Sequence, residues 1–172
     1  MIVRFNKSHE REFLELVESM WRDKQTYLEV SYEYLDRYWY EARFYDSDFV
    51  FFVSEDKYGK VNGFILGEIF REVIEIVFLF VRPQDRRKNI GSVLKRQVIR
   101  YAQALGKKEV TAYNLHSNER SLGMNVKIGR SYAEQDAGVE HFIENIDEYY
   151  YKSVYVLDRQ EEDNDKESLP IH

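Results

Sequence analysis

Glu75 to Leu94, EIVFLFVRPQDRRKNIGSVL, constrains this chain more than any other stretch. An apolar run from Glu75 to Val81 stops at Arg82-Pro83. A short basic loop, Arg86-Arg87-Lys88, follows, and Asn89-Ile90-Gly91-Ser92 then opens an amphipathic helix. A strand, a basic turn of small residues and a helix amino terminus, in that order, build a site for a phosphorylated ligand. Unpaired backbone N–H groups and the positive end of the helix meet there, and nearby cations add to them. The competing reading of 86–92 is an ordinary solvated strand-to-helix turn with a basic surface.

Periodicity places other elements around this one. Phe13, Leu14, Leu16, Val17, Met20 and Trp21 recur at helical spacing and predict a first helix from about Ser8. Leu35, Tyr38, Trp39, Ala42 and Tyr45 predict a second, ending near Asp46-Ser47-Asp48. Phe49 to Ser54 and Val61 to Phe70 read as a hairpin turned by Lys57-Tyr58-Gly59-Lys60. Glu75 to Val81 is apolar on both faces, as suits a central strand. Ile90, Val93, Leu94, Val98, Tyr101, Ala102 and Leu105 form one face of a helix ending at Gly106. A strand over Glu109 to Leu115, a short helix from Asn118 to Ile128 stopped by Gly129, and strands over Val139 to Asn145 and Tyr150 to Leu157 complete the order. This is an α/β chain with a central, mostly antiparallel sheet flanked by helices and one βαβ crossover. Residues 1–157 form a single domain on this reading, and 158–172 a polar, acidic tail.

Composition narrows the chemistry. The 172 residues include 14 Tyr, 11 Phe and 2 Trp, enough for a sizeable core beside 33% charged residues. A formal charge of −6 argues against non-specific nucleic-acid binding and mildly favours a cationic partner such as an amine. With no cysteine there is no disulfide, thiolate metal site or cysteinyl intermediate. His9, His116, His141 and His172 lack metal-ligand spacing, so no metal is expected. The amino terminus lacks a signal-peptide core, and no apolar run approaches the roughly 18 residues of a membrane span. A cytoplasmic location without membrane attachment is the expectation.

The motifs resemble those of the GNAT superfamily of acyl-CoA-dependent N-acetyltransferases. Its acyl-CoA motif is an apolar strand, a proline, then Gln/Arg-x-x-Gly-x-Gly/Ala opening a helix; here Val81-Arg82-Pro83 precedes Arg86-Arg87-Lys88-Asn89-Ile90-Gly91. Its downstream Asn-x-x-Ala-(x)3-Tyr, ending in Gly-Phe, is similar to Asn118-Glu119-Arg120-Ser121 with Gly129-Arg130 at the end. Asn89 stands for the first motif glycine and tolerates left-handed backbone angles. Asn125 stands for the tyrosine that serves as general acid, and Arg130 for the phenylalanine.

The resemblance implies acetyl-CoA as cosubstrate, held by Arg86, Arg87, Lys88, Asn89, Ile90, Gly91 and Ser92. The main chain of Leu79, Phe80 and Val81 would pair with the pantetheine arm, and Asn118 would touch the pantetheine or the adjoining phosphate. It further implies an amine acceptor, either a small molecule or a protein or peptide, and allows a homodimer. Glu75 opens the strand, and Glu75-Ile76-Val77-Phe78 is similar to the strand whose glutamate is general base in the histone-acetylating branch. The alternative for Glu75 is a solvated or salt-bridged strand-start carboxylate. Tyr113 and His116 lie near where acceptor amines sit in such folds, with packing and solvation as their plainer readings. Tyr149-Tyr150-Tyr151 is read as alternating across a strand, part core and part acceptor-site wall.

Two functions follow. The first is an N-acetyltransferase in which a primary amine attacks the thioester directly, with Glu75, Tyr113 and Asn125 as the catalytic candidates. The second, favoured by Asn89 and Asn125, is a catalytically weak acyl-CoA-binding sensor or partner-binding module. A phosphate-binding domain unrelated to CoA is disfavoured because no Gly-Lys-Ser/Thr follows the loop.

Overall fold

A computed structural model describes residues 1–23, 26, 30–135 and 137–157. Seven strands form one sheet: β1 (Ile2–Arg4), β2 (Phe49–Glu55), β3 (Val61–Ile69), β4 (Val73–Val81), β5 (Glu109–Leu115), β6 (Val139–Asn145) and β7 (Tyr150–Leu157). Their order is β1-β2-β3-β4-β5-β7-β6, antiparallel except for the central β4–β5 pair. Four α-helices are described with their bounds, beside short 3-10 turns: α1 (Glu10–Ser19), α2 (Arg37–Glu41), α3 (Ile90–Ala104) and α4 (Glu119–Glu134). The parallel pair needs a crossover connection, and α3 supplies it.

Each face of the sheet has its own core. On one, Val50, Ile65, Ile74, Ile76, Val110 and Tyr155 pack with Leu94, Val98 and Ile99 of α3 and Ile128 of α4. On the other, Phe51, Phe64, Leu66 and Phe80 pack with Phe13 and Val17 of α1 and Tyr40 of α2. Phe13 alone meets Phe5, Tyr40, Phe44, Phe51 and Phe64 at ring centroids 4.5–5.7 Å apart, so aromatic volume fills this layer.

The strands over 109–115, 139–145 and 150–157 fall where periodicity predicts them. Three elements differ. β1, three residues long, carries too short a pattern to be read from sequence. The helix expected through Tyr45 is cut to the five residues of α2, with the Asp36 side chain accepting from Tyr38 N–H at 3.0 Å. It buries Tyr40 and leaves Tyr38 and Tyr45 exposed, so the expected face is out of phase. Gly129 does not stop α4, which continues to Glu134. It lets the helix approach β6 instead: a Cβ there would lie 2.5 Å from His141 Cβ. The acidic tail, 158–172, lies outside the described residues.

Candidate active site

β4 and β5 are paired only from Val73/Glu109 to Ile76/Ala112. Beyond that point β4 follows β3 to Val81 and β5 follows β7 to Leu115, so the parallel strands part like a fork. A bulge begins the divergence. Gly67 pairs with Ile76 and Leu66 with Phe78, leaving Val77 as an extra residue. The bulge inverts the phase of β4: Ile74 and Ile76 face the α3–α4 core, whereas Phe78 and Phe80 face α1. Val77 to Val81 have no strand on the fork side, and their edge can accept an extended ligand.

The fork leads to the basic loop. Asn89, the N-cap of α3, has φ 66 and ψ 12, the left-handed conformation expected of it, and makes no side-chain cap. Arg87 is also left-handed (φ 64). Left-handed residues within such a turn point successive N–H groups to one side, a concavity suited to an anion at a helix amino terminus. The buried Asp85 braces this shape. Its carboxylate takes Arg82 Nε at 2.6 Å and Lys88 Nζ at 2.9 Å. Lys88 first, then Arg82, hold the Asp85 carboxyl below the usual range.

Between the loop, β4 and α4 lies a cleft of about 590 Å³. Leu79, Phe80, Val81, Arg86, Arg87, Asn89, Ile90, Gly91, Ser92 and Asn118 line it: every binding residue expected from sequence except Lys88. Lys88 turns to Asp85. Arg86 lines the cleft with its charge already engaged, since Nε donates to Val81 O (2.9 Å) and Nη2 to Asp23 (2.6 Å). Gly91 keeps the cleft open, for a Cβ there would lie 3.4 Å from Leu79 Cδ2 and 3.5 Å from Met124 Sδ. The Asn118 side chain caps α4, accepting from Ser121 N–H at 3.1 Å.

Sequence reasoning passed over the far wall. Arg120, Met124 and Lys127 recur at helical spacing along α4 and face the cleft, a pattern available in the sequence once Asn118 is taken as the cap. Arg87, Arg120 and Lys127 form no ion pair among the described residues and so give the cleft its positive field. Nothing local in the sequence marks the loop carboxylate of Asp85 as buried.

The catalytic candidates separate. Glu75 alternates with the core residues Ile74 and Ile76, so it lies on the opposite face, one residue before the fork opens. Burial raises its pKa most, the charge of Glu68 raises it further, and Lys152 opposes them. Tyr113 shares this face through the register Glu75–Thr111 and is half exposed, with Lys152 Nζ 5.7 Å above its ring. Tyr34, stacked on Phe78 at 5.4 Å, has its pKa raised by burial first and then by the charges of Glu33, Glu75 and Glu68, with Arg43 opposing them. His116 is tied to the Asp147 carbonyl at 3.1 Å. Asn125 goes elsewhere. Expected to project toward the ligand's sulfur, it is fully buried, and its Oδ1 accepts from Lys95 Nζ at 2.5 Å and from Tyr155 Oη at 3.2 Å. Position 125 falls on the inner side of α4, where Ile128 and Gly129 are also buried.

A mixed sheet that forks between β4 and β5, with a left-handed turn at the α3 amino terminus beside the fork, is a fold shared with acetyltransferases of known structure. The chain belongs to the acetyltransferase (GNAT) family, whose model matches residues 13–129. The fold is similar to PaiA N-acetyltransferase from Thermoplasma acidophilum in complex with coenzyme A (TM-score 0.65, 17% identity, 90% of this chain and 96% of that one). It is similar to a chimera of the spermidine N-acetyltransferase SpeG from Vibrio cholerae and hSSAT (0.64, 15%, 91% and 96%). An acetyltransferase of the GNAT family from Staphylococcus aureus also matches (0.60, 15%, 92% and 99%). No curated protein matches the sequence significantly. Among the described residues no helix is long and apolar enough to cross a membrane.

Proposed function

We propose that the protein is an acetyl-CoA-dependent N-acetyltransferase that moves an acetyl group to a primary amine by direct attack on the thioester. The observation that carries this reading is the run of the cleft from the left-handed loop at Arg87 and Asn89 along Phe78–Val81, the part of β4 left unpaired on the fork side. The loop N–H groups and Arg87 suit a pyrophosphate, and the free edge of β4 suits an amide-bearing pantetheine. The acyl donor enters on the α3–α4 side and the amine on the Glu75–Tyr113 side, so the two meet through the fork. An ammonium must lose a proton before its nitrogen can attack, and a carboxylate of raised pKa is a fitter base for this than a solvated one. A strand N–H on the fork-side edge of β4, near Val81, would stabilise the oxyanion. The acceptor is a small amine or a protein or peptide amine.

The experiment is thiol release from acetyl-CoA across a panel of amines, together with thermal melting in CoA. Ligand binding to the native state raises Tm by mass action. Gly91→Glu, which puts bulk and negative charge into the cleft, abolishes that rise on this reading. No Tm rise with millimolar CoA in the wild type would sink the assignment.

One observation favours the alternative, an acyl-CoA-binding sensor: the α4 residues on the cleft are Arg120, Ser121, Gly123, Met124 and Lys127, with no tyrosine among them. CoA binding combined with silence toward every amine would select it.

A further inference from the structure

Thr26 and Val30, in the connection between α1 and α2, give the cleft a wall that the binding residues above do not include. They line it beside Phe78, Leu79, Phe80 and Val81. Thr26 is held from two sides: its Oγ1 donates to Asp23 Oδ2 at 2.6 Å, and its carbonyl accepts from Val30 N–H at 3.2 Å. The same Asp23 oxygen accepts from Arg86 Nη2 at 2.6 Å, and Arg86 Nε donates to Val81 O at 2.9 Å. Asp23 and Arg86 are both largely buried, and the guanidinium lies 5.5 Å from the Phe80 ring centroid. Three short hydrogen bonds in series thus tie the Thr26 hydroxyl to the end of β4.

This series of bonds fixes what Thr26 can do. A hydroxyl has one proton and two lone pairs, and here the proton is committed to a carboxylate. The oxygen can therefore only accept, and a charge-assisted bond of this length makes it a stronger acceptor. Phosphate oxygens are acceptors as well, so Thr26 offers them nothing; their place is with the loop N–H groups, Arg87, Arg120 and Lys127. What Thr26 can take from an acyl-CoA is an N–H, and the cofactor carries these on its adenine and on its pantetheine amides. Thr26 and Val30 stand beside Leu79–Val81, the stretch whose free edge suits the pantetheine arm. An extended arm paired with β4 along one edge still has polar groups on its other edge, and once buried they need partners.

We propose that Thr26 is a further cofactor-binding residue, whose Oγ1 accepts a pantetheine amide N–H, and that Asp23 and Arg86 are the positioning residues that hold it there. The inference rests on the acetyltransferase reading and deepens its cofactor site. Arg86 then acts as a strut: its charge goes to Asp23, and the phosphates are left to the loop and the unpaired cations. The hydroxyl is aimed before the ligand arrives, so binding does not have to order it. The amine acceptor is the other source of an N–H at the cleft, and the measurements below separate the two.

The test is Thr26→Val in the full chain, which keeps the shape of the side chain and removes its oxygen, with Thr26→Ser as the variant that keeps the oxygen. Affinity is measured for CoA and for adenosine 3′,5′-bisphosphate, a fragment that has the adenine but no pantetheine, and KM is measured for the amine. Thr26→Val should bind CoA about tenfold more weakly, the usual effect of leaving one buried N–H unpaired, with fragment affinity and amine KM unchanged. Thr26→Ser should bind CoA as the wild type does. Asp23→Ala should weaken CoA binding in the wild-type background and add little in the Thr26→Val background, as expected of residues that act through one contact. Unchanged CoA affinity in Thr26→Val overturns the proposal. So does equal weakening of CoA and the fragment, which would put Thr26 at the adenine, or a raised amine KM with CoA affinity intact, which would put it at the acceptor. Each of these leaves the acetyltransferase reading standing, whereas a wild type that binds neither CoA nor the fragment overturns both.

Discussion

Glu68 and Glu75 stand directly opposite each other on β3 and β4, two carboxylates in register beside the fork. Like charges so placed destabilise a sheet, and the second carboxyl answers by holding its proton more tightly, through burial first and Glu68 second. Its basic form therefore fills at higher pH than that of a solvated glutamate. Activity that depends on it falls as pH drops through the raised value. Glu68→Gln should move this acid limb to lower pH with the maximum rate retained. Glu75→Gln should remove the limb and cut kcat/KM near neutral pH by about 10²–10⁴, with recovery at alkaline pH where the amine is already free. Profiles of kcat/KM against pH for both variants decide it; an intact limb in Glu75→Gln would assign Glu75 to structure.

Asp85→Asn should weaken CoA binding about tenfold. Two effects oppose each other here. The substitution frees the Lys88 charge, but an exposed cation contributes only about 0.2–1 kcal/mol. Unpinning the loop makes binding order it afresh, at about 1–2 kcal/mol per residue, so the loss prevails. Because the wild-type carboxyl is held below the usual range, its contribution is full above the ordinary carboxylate pKa and disappears as pH falls through the folded-state value. Acid titration of CoA affinity should show a step in the wild type and none in Asp85→Asn. Tighter binding in the variant would reverse the assignment.

Burial lowers the Lys95 pKa to about 8. The unfolded chain then binds more protons than the native one between about 8 and the ordinary lysine value, so stability must rise with pH across that window. The rise is at most about 3 kcal/mol, because each pH unit crossed adds no more than about 1.4 kcal/mol. Lys95→Met should flatten it. Denaturant unfolding at pH 7.5 and 10 measures the difference, and an equal slope in both proteins would show that the amine is solvated.

Gly129→Ala should cost about 1–3 kcal/mol of stability, the usual range for an overpacked core. The new Cβ would lie 2.5 Å from His141 Cβ, an atom next to the backbone that cannot swing aside, and the His141 ring is held by Ser153 Oγ at 2.7 Å. Urea unfolding reads the loss. Unchanged stability would mean that α4 can lift from β6, as if Gly129 were the terminus that sequence alone suggested.

Much of this protein is written locally in its chain. Hydrophobic alternation marks β2 to β7 within a residue or two, and Asn89 and Gly91 announce the turn and the open cleft floor through backbone and steric limits that belong to the residue type. Hence nearly the whole near wall of the cleft could be named before the fold was known. Other features depend on partners far along the chain. The slip at Val77 is defined only against Leu66 and Gly67 of β3, yet it opens the fork and sends Glu75 and Leu79 to opposite faces. Asn125 reads as a cleft residue by motif spacing and becomes a core residue because Lys95, thirty residues earlier, supplies a buried cation to its amide. Gly129 reads as a stop and acts as a contact because β6 passes beneath it. Periodicity and turn chemistry are short-range and survive in the sequence, whereas which side of an element a polar group faces is settled by the desolvation and pairing it meets after packing.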